Sequence, residues 1–334
     1  MNRGFRTDKK IGVLGGGQLG RMLQQKALSL GLDLAFIDPD KNAPCKDVSS
    51  RFFKGDLKDY DTVYAFGKGR DILTIEIEHV NVEALAQLEK EGVKVFPQPS
   101  VIKVVQDKGL QKQFYKEHNI PSAEFFLIAG CDEVVLFESE FPLMQKMRKG
   151  GYDGKGVTPM KSREDLPNAF NEPSVLEKMV DFEKELSVIV SRNEKGEIKS
   201  YPCVECVFNP EANLVDVLFS PANITKDQEN ISQSIAKDII EKLDMVGILA
   251  VELFLTIDGE ILVNEIAPRP HNSGHQTIEG NYESQYGQLI RCLLNLPLGD
   301  TGIVKPSVMV NLLGEKGFIG TAIYQGIDEA LSTP

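Results

Sequence analysis

The chain has 334 residues and a net charge of -12, from 37 basic and 49 acidic side chains, a length that exceeds one ordinary domain and accommodates two or three. With 42% hydrophobic residues it holds no apolar run near the ~20 residues a membrane span requires. No Lys/Arg cluster with interleaved aromatics offers a track for nucleic acid.

Cys45, Cys131, Cys203, Cys206 and Cys292 are scattered and odd in number, which fits a reducing compartment rather than a disulfide framework. Residues 1–10 are polar and basic without the apolar stretch of a secretory signal. A cytoplasmic address is expected.

Residues 11–14 form a short apolar run, Gly15-Gly16-Gly17-Gln18-Leu19-Gly20 follows, and Leu19, Met22, Leu23, Ala27 and Leu30 then share a helical face. Strand, glycine turn and amphipathic helix are expected in that order. Further apolar runs at 34–37, 72–77 and 93–96 alternate with helical segments such as 82–90, which implies a parallel sheet covered on both faces. Pro97-Gln98-Pro99 reads as a linker.

Residues 100–118 have helical character, and apolar runs at 125–129, 142–147 and 157–160 complete a small α+β unit. Beyond Glu177 the pattern changes to long strands at 185–191 and 198–207, a helix at about 228–243, strands at 247–257 and 260–266, and a helix at about 282–294. The fold class is therefore α/β and α+β, with expected domains 1–99, 100–177 and 178–334.

Four motifs carry chemistry. Gly15-x-Gly17-x-x-Gly20 with Asp38 about 20 residues on matches a dinucleotide fingerprint, although the same glycines serve any close approach. The loop from Arg148 through Gly150, Gly151, Tyr152, Asp153, Gly154 and Lys155 to Gly156 combines four glycines with three cations between strands, as a flap over phosphate does. A flexible basic hairpin is its blander reading.

Glu252 and Glu265 flank Asp258-Gly259, a dipeptide typical of a two-residue hairpin turn. If those two residues are the turn, the carboxylates stand directly opposite on one face, which is repulsive unless a cation lies between them. With Asn264 adjacent, hard oxygen ligands suit magnesium completed by phosphate. The polar loop after Glu265 carries Arg269, His271, Asn272, Ser273 and His275, a set able to hold an oxyanion. Cys203 and Cys206 form a CxxC without a second pair or a nearby histidine, so zinc is not expected there.

These residues resemble the N5-carboxyaminoimidazole ribonucleotide synthetase family, ATP-grasp enzymes of purine biosynthesis. The carrying segments are GGGQLGRM (15–22), EIEHV (76–80), GGYDGKG (150–156), EKELSVIV (183–190) and VNEIAPRPHNSGH (263–275). The resemblance implies an N-terminal Rossmann-like domain, a small central lid and a C-terminal mixed-sheet domain, with ATP between the last two.

By the same resemblance, Lys108, Lys146 and Val157 would contact ATP, residues from Glu177 through Lys178 and Met179 to Val180 would read adenine, and Glu185 would bind ribose. Phe208 stands near the nucleotide where relatives often have histidine, and Asn264 and Glu265 complete the ATP site. Glu252 and Glu265 would hold magnesium, with manganese as its substitute.

Arg269, His271, Asn272, Ser273 and Lys155 would serve catalysis on carboxyphosphate formed from bicarbonate. Gln18, Glu76, Tyr152, Asp153 and Arg269 would meet 5-aminoimidazole ribonucleotide. A homodimer, and a basic C-terminal segment beyond the equivalent of Pro334, also belong to what the resemblance implies. A formate-dependent purine transformylase, a dinucleotide oxidoreductase and a non-catalytic nucleotide binder are the rival readings.

Overall fold

The computed structural model describes residues 8–151, 156–209, 214–312, 314, 317, 320, 321 and 323–332. Its first sheet holds β1 (Ile11–Leu14), β2 (Ala35–Asp38), β3 (Phe52–Lys54), β4 (Ile72–Ile75) and β5 (Lys94–Val95), parallel throughout in the order β3-β2-β1-β4-β5. All four residues of β1 and of β4 are buried, as expected of parallel strands covered on both faces.

Helices α1 (Gln18–Ser29), α2 (Tyr60–Gly67) and α3 (Val82–Lys90) make the crossovers. The inner face of α1 is Gly20, Leu23, Gln24 and Ala27. Leu30, expected on that face, falls past the helix end and is exposed.

The stretch 100–118 is two helices, α4 (Pro99–Val105) and α5 (Lys108–Glu117). Asp107 makes the break by capping α5, its carboxylate accepting from the Gly109 and Leu110 amides. An N-cap residue must leave helical geometry to do this. A four-stranded antiparallel sheet follows, β6 (Phe125–Ile128), β7 (Leu143–Met147), β8 (Val157–Met160) and β9 (Ser174–Lys178), in the order β6-β9-β7-β8.

The largest sheet comprises β10 (Phe182–Arg192), β11 (Ile198–Ser200), β12 (Val204–Asn209), β13 (Leu214–Ser220), β14 (Gly247–Thr256), β15 (Ile261–Ala267) and β16 (Ser307–Val310). Its path is β15-β14-β10-β12-β13-β16, with β11 also on β10, and every ladder is antiparallel where a mixed sheet is expected. The run expected as one strand over 198–207 is interrupted just after Tyr201, whose amide still donates to the Ile189 carbonyl of β10 at 2.8 Å: Pro202 has no amide hydrogen, and the Cys203 amide donates to the Glu229 carboxylate instead. Pairing with β10 resumes at Val204 with the register shifted by one residue.

Helix α6 (Lys226–Lys242) covers one face, entered through a reciprocal cap between Thr225 and Gln228. After α7 (Thr277–Gly280), helix α8 (Gln285–Leu293) is nearly all buried. Its Tyr286, Leu289, Ile290 and Leu293 share one apolar core with Leu23 and Ala27 of α1 and with Ile189 and Ile248. That shared core fixes the first sheet against the largest one. Among the described residues no helix is long and apolar enough to cross a membrane.

Candidate active site

A cleft of about 600 Å³ opens between the small sheet and the largest sheet. Lys108, Lys146, Gly151, Val157, Glu177, Lys178, Met179, Val180, Glu185, Phe208, Glu252, Asn264, Glu265, Arg269, His271 and Asn272 all line it. Tyr152, Asp153, Gly154 and Lys155 lie outside the described residues. Gly156, at φ +75°, closes the base of the β7–β8 hairpin by accepting from the Met147 amide.

The carboxylate row on the largest sheet has a structural cause that differs from the expected one. Next to the turn, Leu255 pairs with Ile261 and Leu253 with Val263, so the connection is one residue longer than a two-residue turn. A bulge between Leu253 and Glu252 then shifts the register, and Glu252 stands opposite Glu265 after all. The two departures cancel. Because a bulge places two successive residues toward one side, Asn264 and Glu265 both line the cleft, while Val263 and Ile266 are buried on either side of them.

The electrostatics follow from this row. Burial, the facing Glu265 and nearby Glu185 push the Glu252 carboxyl well above the usual range. Lys108, its Nζ 2.5 Å from Glu265 Oε2, holds Glu265 below it. Burial alone raises Glu185, one strand over on β10, to about 7.

Among the described residues no group of three or more His, Cys, Asp and Glu side chains is disposed to hold a metal by itself. Two opposed carboxylates beside an amide oxygen, in a cleft that still leaves 45% of the Glu265 side chain accessible, fit a hard divalent cation that takes its remaining ligands from phosphate and water.

A second charged group lies at the floor of the small sheet. Lys112 Nζ and Lys146 Nζ sit 3.1 and 3.0 Å from the two oxygens of Glu177. Burial raises the Glu177 carboxyl, but Lys146 and Lys112 outweigh it and the net shift is downward. The side chain of Glu177 thus organises cations. Lys146 also donates to Asn264 Oδ1 at 3.3 Å, joining the small sheet to the carboxylate row. Lys178 turns its ammonium out to Glu140.

The loop after β15 is equally fixed. Arg269 Nε lies 2.6 Å from Glu78 Oε1. His271 Nε2 faces Glu252 Oε1 at 3.4 Å, and burial, with Arg269 adding to it, drives its imidazole down to about 3. Asn272 accepts from Asn311 Nδ2 at 3.1 Å. Ser273 is buried beneath the loop, while His275 packs on Tyr286 away from the cleft.

At the glycine turn the dinucleotide reading fails on its donors. The amides of Gly17 and Gly20 donate to Glu76 at 2.8 and 2.9 Å, and the Gly16 amide donates to Asp38 at 2.7 Å. The anions the turn receives are the protein's own carboxylates. A Cβ on Gly15, which sits at φ +99°, would lie 2.5 Å from Glu76 Cγ, so the glycines serve the approach of Glu76 rather than of a pyrophosphate. Gln18 is exposed at the start of α1.

Several cleft residues escape a reading of the sequence alone. Phe182 and Phe254 stack at 4.6 Å and 16° on the apolar side; Arg148, already counted among the cations of the glycine loop, holds Asp107 with two contacts of 2.8 Å, a pairing the sequence does not show. Behind the cleft, Lys112 on Glu177 and Asn311 on Asn272 carry no local mark in the sequence. Glu78 was within reach, since EIEHV was already singled out.

A family model described as the ATP-grasp domain matches residues 113–286, and one described as the ribonucleotide synthetase preATP-grasp domain matches residues 8–106. The phosphoribosylaminoimidazole carboxylase, chloroplastic, of Vigna aconitifolia is 39% identical over 313 residues, which are 92% of this chain and 56% of that protein. The chain thus spans little more than half of that relative's length.

The N5-carboxyaminoimidazole ribonucleotide synthase of Bacillus subtilis (strain 168) is 36% identical over 313 residues, 92% of this chain and 81% of the relative. The solved structure of N5-carboxyaminoimidazole ribonucleotide synthetase from Thermotoga maritima superposes with a TM-score of 0.88 at 43% identity, covering 97% of this chain and 86% of that one. With these likenesses extending over both the glycine turn and the carboxylate row, the chain belongs to the N5-carboxyaminoimidazole ribonucleotide synthetase family of ATP-grasp ligases.

Proposed function

We propose that this chain carboxylates 5-aminoimidazole ribonucleotide with bicarbonate at the expense of ATP, giving N5-carboxyaminoimidazole ribonucleotide, ADP and phosphate. The observation that carries the reading is the row of Glu252 and Glu265 facing each other in a cleft with Lys108 on one of them and Lys146 on Asn264. Such a row suits a triphosphate arriving with its magnesium, or with manganese in its place.

In this reading, adenine lies along the Phe182–Phe254 side and the backbone of residues 177–180, and Glu185 accepts from the ribose hydroxyls. Bound magnesium supplies charge neutralisation on the phosphates. Lys108 and Lys146 add positive charge where the transferring phosphoryl group gathers negative charge, so positioning and electrostatics supply the rate. A bicarbonate oxygen forms the new bond to the γ-phosphorus as the bond to ADP breaks, giving carboxyphosphate.

Arg269, His271 and Asn272 hold that intermediate at the cleft wall. The exocyclic amine of the ribonucleotide then takes the carboxyl carbon, phosphate leaves, and the amine proton is lost. Exclusion of water protects the mixed anhydride until then. Gln18 and the turn braced by Glu76 face the ribonucleotide side. A homodimer in the cytoplasm is part of the same proposal.

The test is ADP release with Mg-ATP and 5-aminoimidazole ribonucleotide, with bicarbonate, with formate in its place, and with neither. Release that needs bicarbonate supports the reading. Release that follows formate instead would transfer the chain to the transformylase reading, and tight ATP binding without turnover in any arm would make it a non-catalytic nucleotide binder.

A further inference from the structure

Residues 76–80 leave the end of β4 with two glutamates that go to different parts of the molecule. Glu76 accepts from the Gly17 and Gly20 amides of the glycine turn. Glu78 instead accepts from Arg269 Nε at 2.6 Å, reaching 191 residues along the chain to the loop after β15. Both partners line the cleft, and their side chains are only 16% and 20% exposed. Solvent screens such a contact little, and a charge-assisted bond of this kind is about twice as strong as a neutral one.

Glu78 is itself held at its backbone. Its carbonyl accepts from the Val80 amide at 2.9 Å and from Gln106 Nε2 at 2.8 Å, so the carboxylate starts from a fixed point. Arg269 has a second anchor in the Pro270 carbonyl, which accepts from Nη1 at 3.0 Å, but that neighbour moves with the loop. Burial opposes charge on Arg269, and Glu78, followed by Glu76 and Glu252, outweighs it, so the net shift is upward. Three carboxylates thus attract one guanidinium. Among the described residues only Glu78 bonds it as an anion, and the Nη2 end of the fork is left for a ligand.

From this geometry we propose that Glu78 is a positioning residue: by bonding Nε it sets the direction in which Arg269 presents its remaining N–H donors, and it keeps the guanidinium from swinging onto Glu76 or Glu252. The ligand so met is a small oxyanion, bicarbonate or the carboxyphosphate made from it. Glu78 does not bind that anion itself, because its charge has the wrong sign. Without the Glu78 charge, the Pro270 carbonyl is the remaining anchor, and the pull of Glu76 and Glu252 on the fork is unopposed. The first domain thereby orients a donor that belongs to the last strand's loop. The inference rests on the proposed carboxylation for the identity of the anion, whereas the bond between Glu78 and Arg269 belongs to the protein by itself.

Two measurements separate the pair from the chemistry. In urea unfolding of Glu78→Gln, Arg269→Gln and the double variant, the two single shifts are expected not to add, because either substitution breaks the same contact. Under turnover, Glu78→Gln is expected to raise KM for bicarbonate roughly 10-fold while KM for ATP stays within about twofold. Carboxyphosphate that is poorly held is open to water, so ADP released per carboxylated product is expected to rise from about one to at least roughly two. A merely structural loss would lower both yields together and leave that ratio alone. In an Arg269→Gln background, adding Glu78→Gln is expected to change neither the bicarbonate KM nor the ratio.

Additive unfolding shifts, or an unchanged bicarbonate KM with an unchanged ratio in Glu78→Gln, overturn the proposal. So does a Glu78→Gln effect that persists in full without Arg269, which would mean that Glu78 meets the substrate directly. Should Glu78→Gln fail to fold, Glu78→Asp, which keeps the charge but draws it back by one methylene, is expected to raise KM for bicarbonate and not KM for ATP, and no rise overturns the proposal. Non-additive unfolding in a chain without bicarbonate-dependent ADP release would leave the positioning of Arg269 standing and remove the carboxylation reading.

Discussion

Glu252 and Glu265 are chemically identical and are pushed in opposite directions by their neighbours. Lys108 stabilises the charge on Glu265, whereas burial, Glu265 itself and Glu185 oppose charge on Glu252. The folded, ligand-free protein therefore keeps a proton on Glu252 at pH values where an unfolded chain has released it. Stability of the empty protein falls as pH rises from the ordinary carboxylate range toward the raised value. Glu252→Gln removes that penalty and is expected to stabilise the ligand-free protein near pH 8 by up to about 1 kcal/mol, read from urea unfolding midpoints at pH 5 and pH 8.

In the proposed site each of the two carboxylates would give the cation an oxygen, so the same substitution, and Glu265→Gln, should cut magnesium-dependent ADP formation by at least roughly 100-fold. Near-normal turnover in Glu265→Gln would sink the assignment of the pair. Glu185, at about 7 through burial, predicts a third outcome. In the proposed site Glu185 accepts from the ribose hydroxyls, for which its ionised form is the better acceptor, so KM for ATP should fall several-fold between pH 6 and pH 8. In Glu185→Gln that change should be lost.

At the scale of elements, the cleft depends on joints rather than on strands. Asp107 ends α4, caps α5 and receives Arg148 from the end of β7, so one carboxylate fixes both Lys108 at the start of α5 and the end of β7. Asp107→Ala is expected to cost about 1 kcal/mol for the cap and more for the lost pair, and to raise KM for ATP through the loosened Lys108. Differential scanning calorimetry and initial rates on the same variant check both parts. An unchanged KM would show that Lys108 is held by Glu265 alone.

Joints of this kind are also where the sequence was least legible. Periodicity located β1, β2, β4, α3, β14 and β15 to within a residue or two, because burial of an alternating or continuous apolar pattern is a local property. It missed the break at Asp107, since a capping aspartate inside a helical pattern looks like any other polar position. It missed β9, whose apolar run of Val175 and Leu176 is too short to mark a strand and whose Glu177 is buried only with Lys112 and Lys146 brought to it from elsewhere in the chain.

The opposition of Glu252 and Glu265 was reached from a turn one residue too short, and only the bulge beside Asn264 restores it. Asn311 on Asn272 and Ser187 under Ser273 had no signal at all. Their partners are 39 and 86 residues away.

For the whole molecule, the cleft is walled by two sheets that meet at side chains, not through a common core. The small sheet has its own cluster around Ile128, Leu143, Met160 and Leu176, while the largest sheet shares its cluster with α1 and β1. Lys146 of the small sheet reaches Asn264 of the largest sheet, and Lys108 reaches Glu265 from α5, a helix whose Tyr115 packs into a core of the largest sheet. Nucleotide with magnesium would replace these contacts with its phosphates and bind both walls at once.

A ligand that binds only the folded state stabilises it by about 2.7 kcal/mol at a concentration 100 times its Kd. Mg-ADP at that concentration should therefore raise Tm by several degrees for a protein of this size. Because the carboxylate row repels phosphate when no cation is present, ADP with EDTA should give a much smaller rise, and Glu265→Gln should give the small rise even with magnesium. Equal stabilisation with and without magnesium would mean that nucleotide binding does not use the row, and would separate the cleft from the ligase chemistry proposed for it.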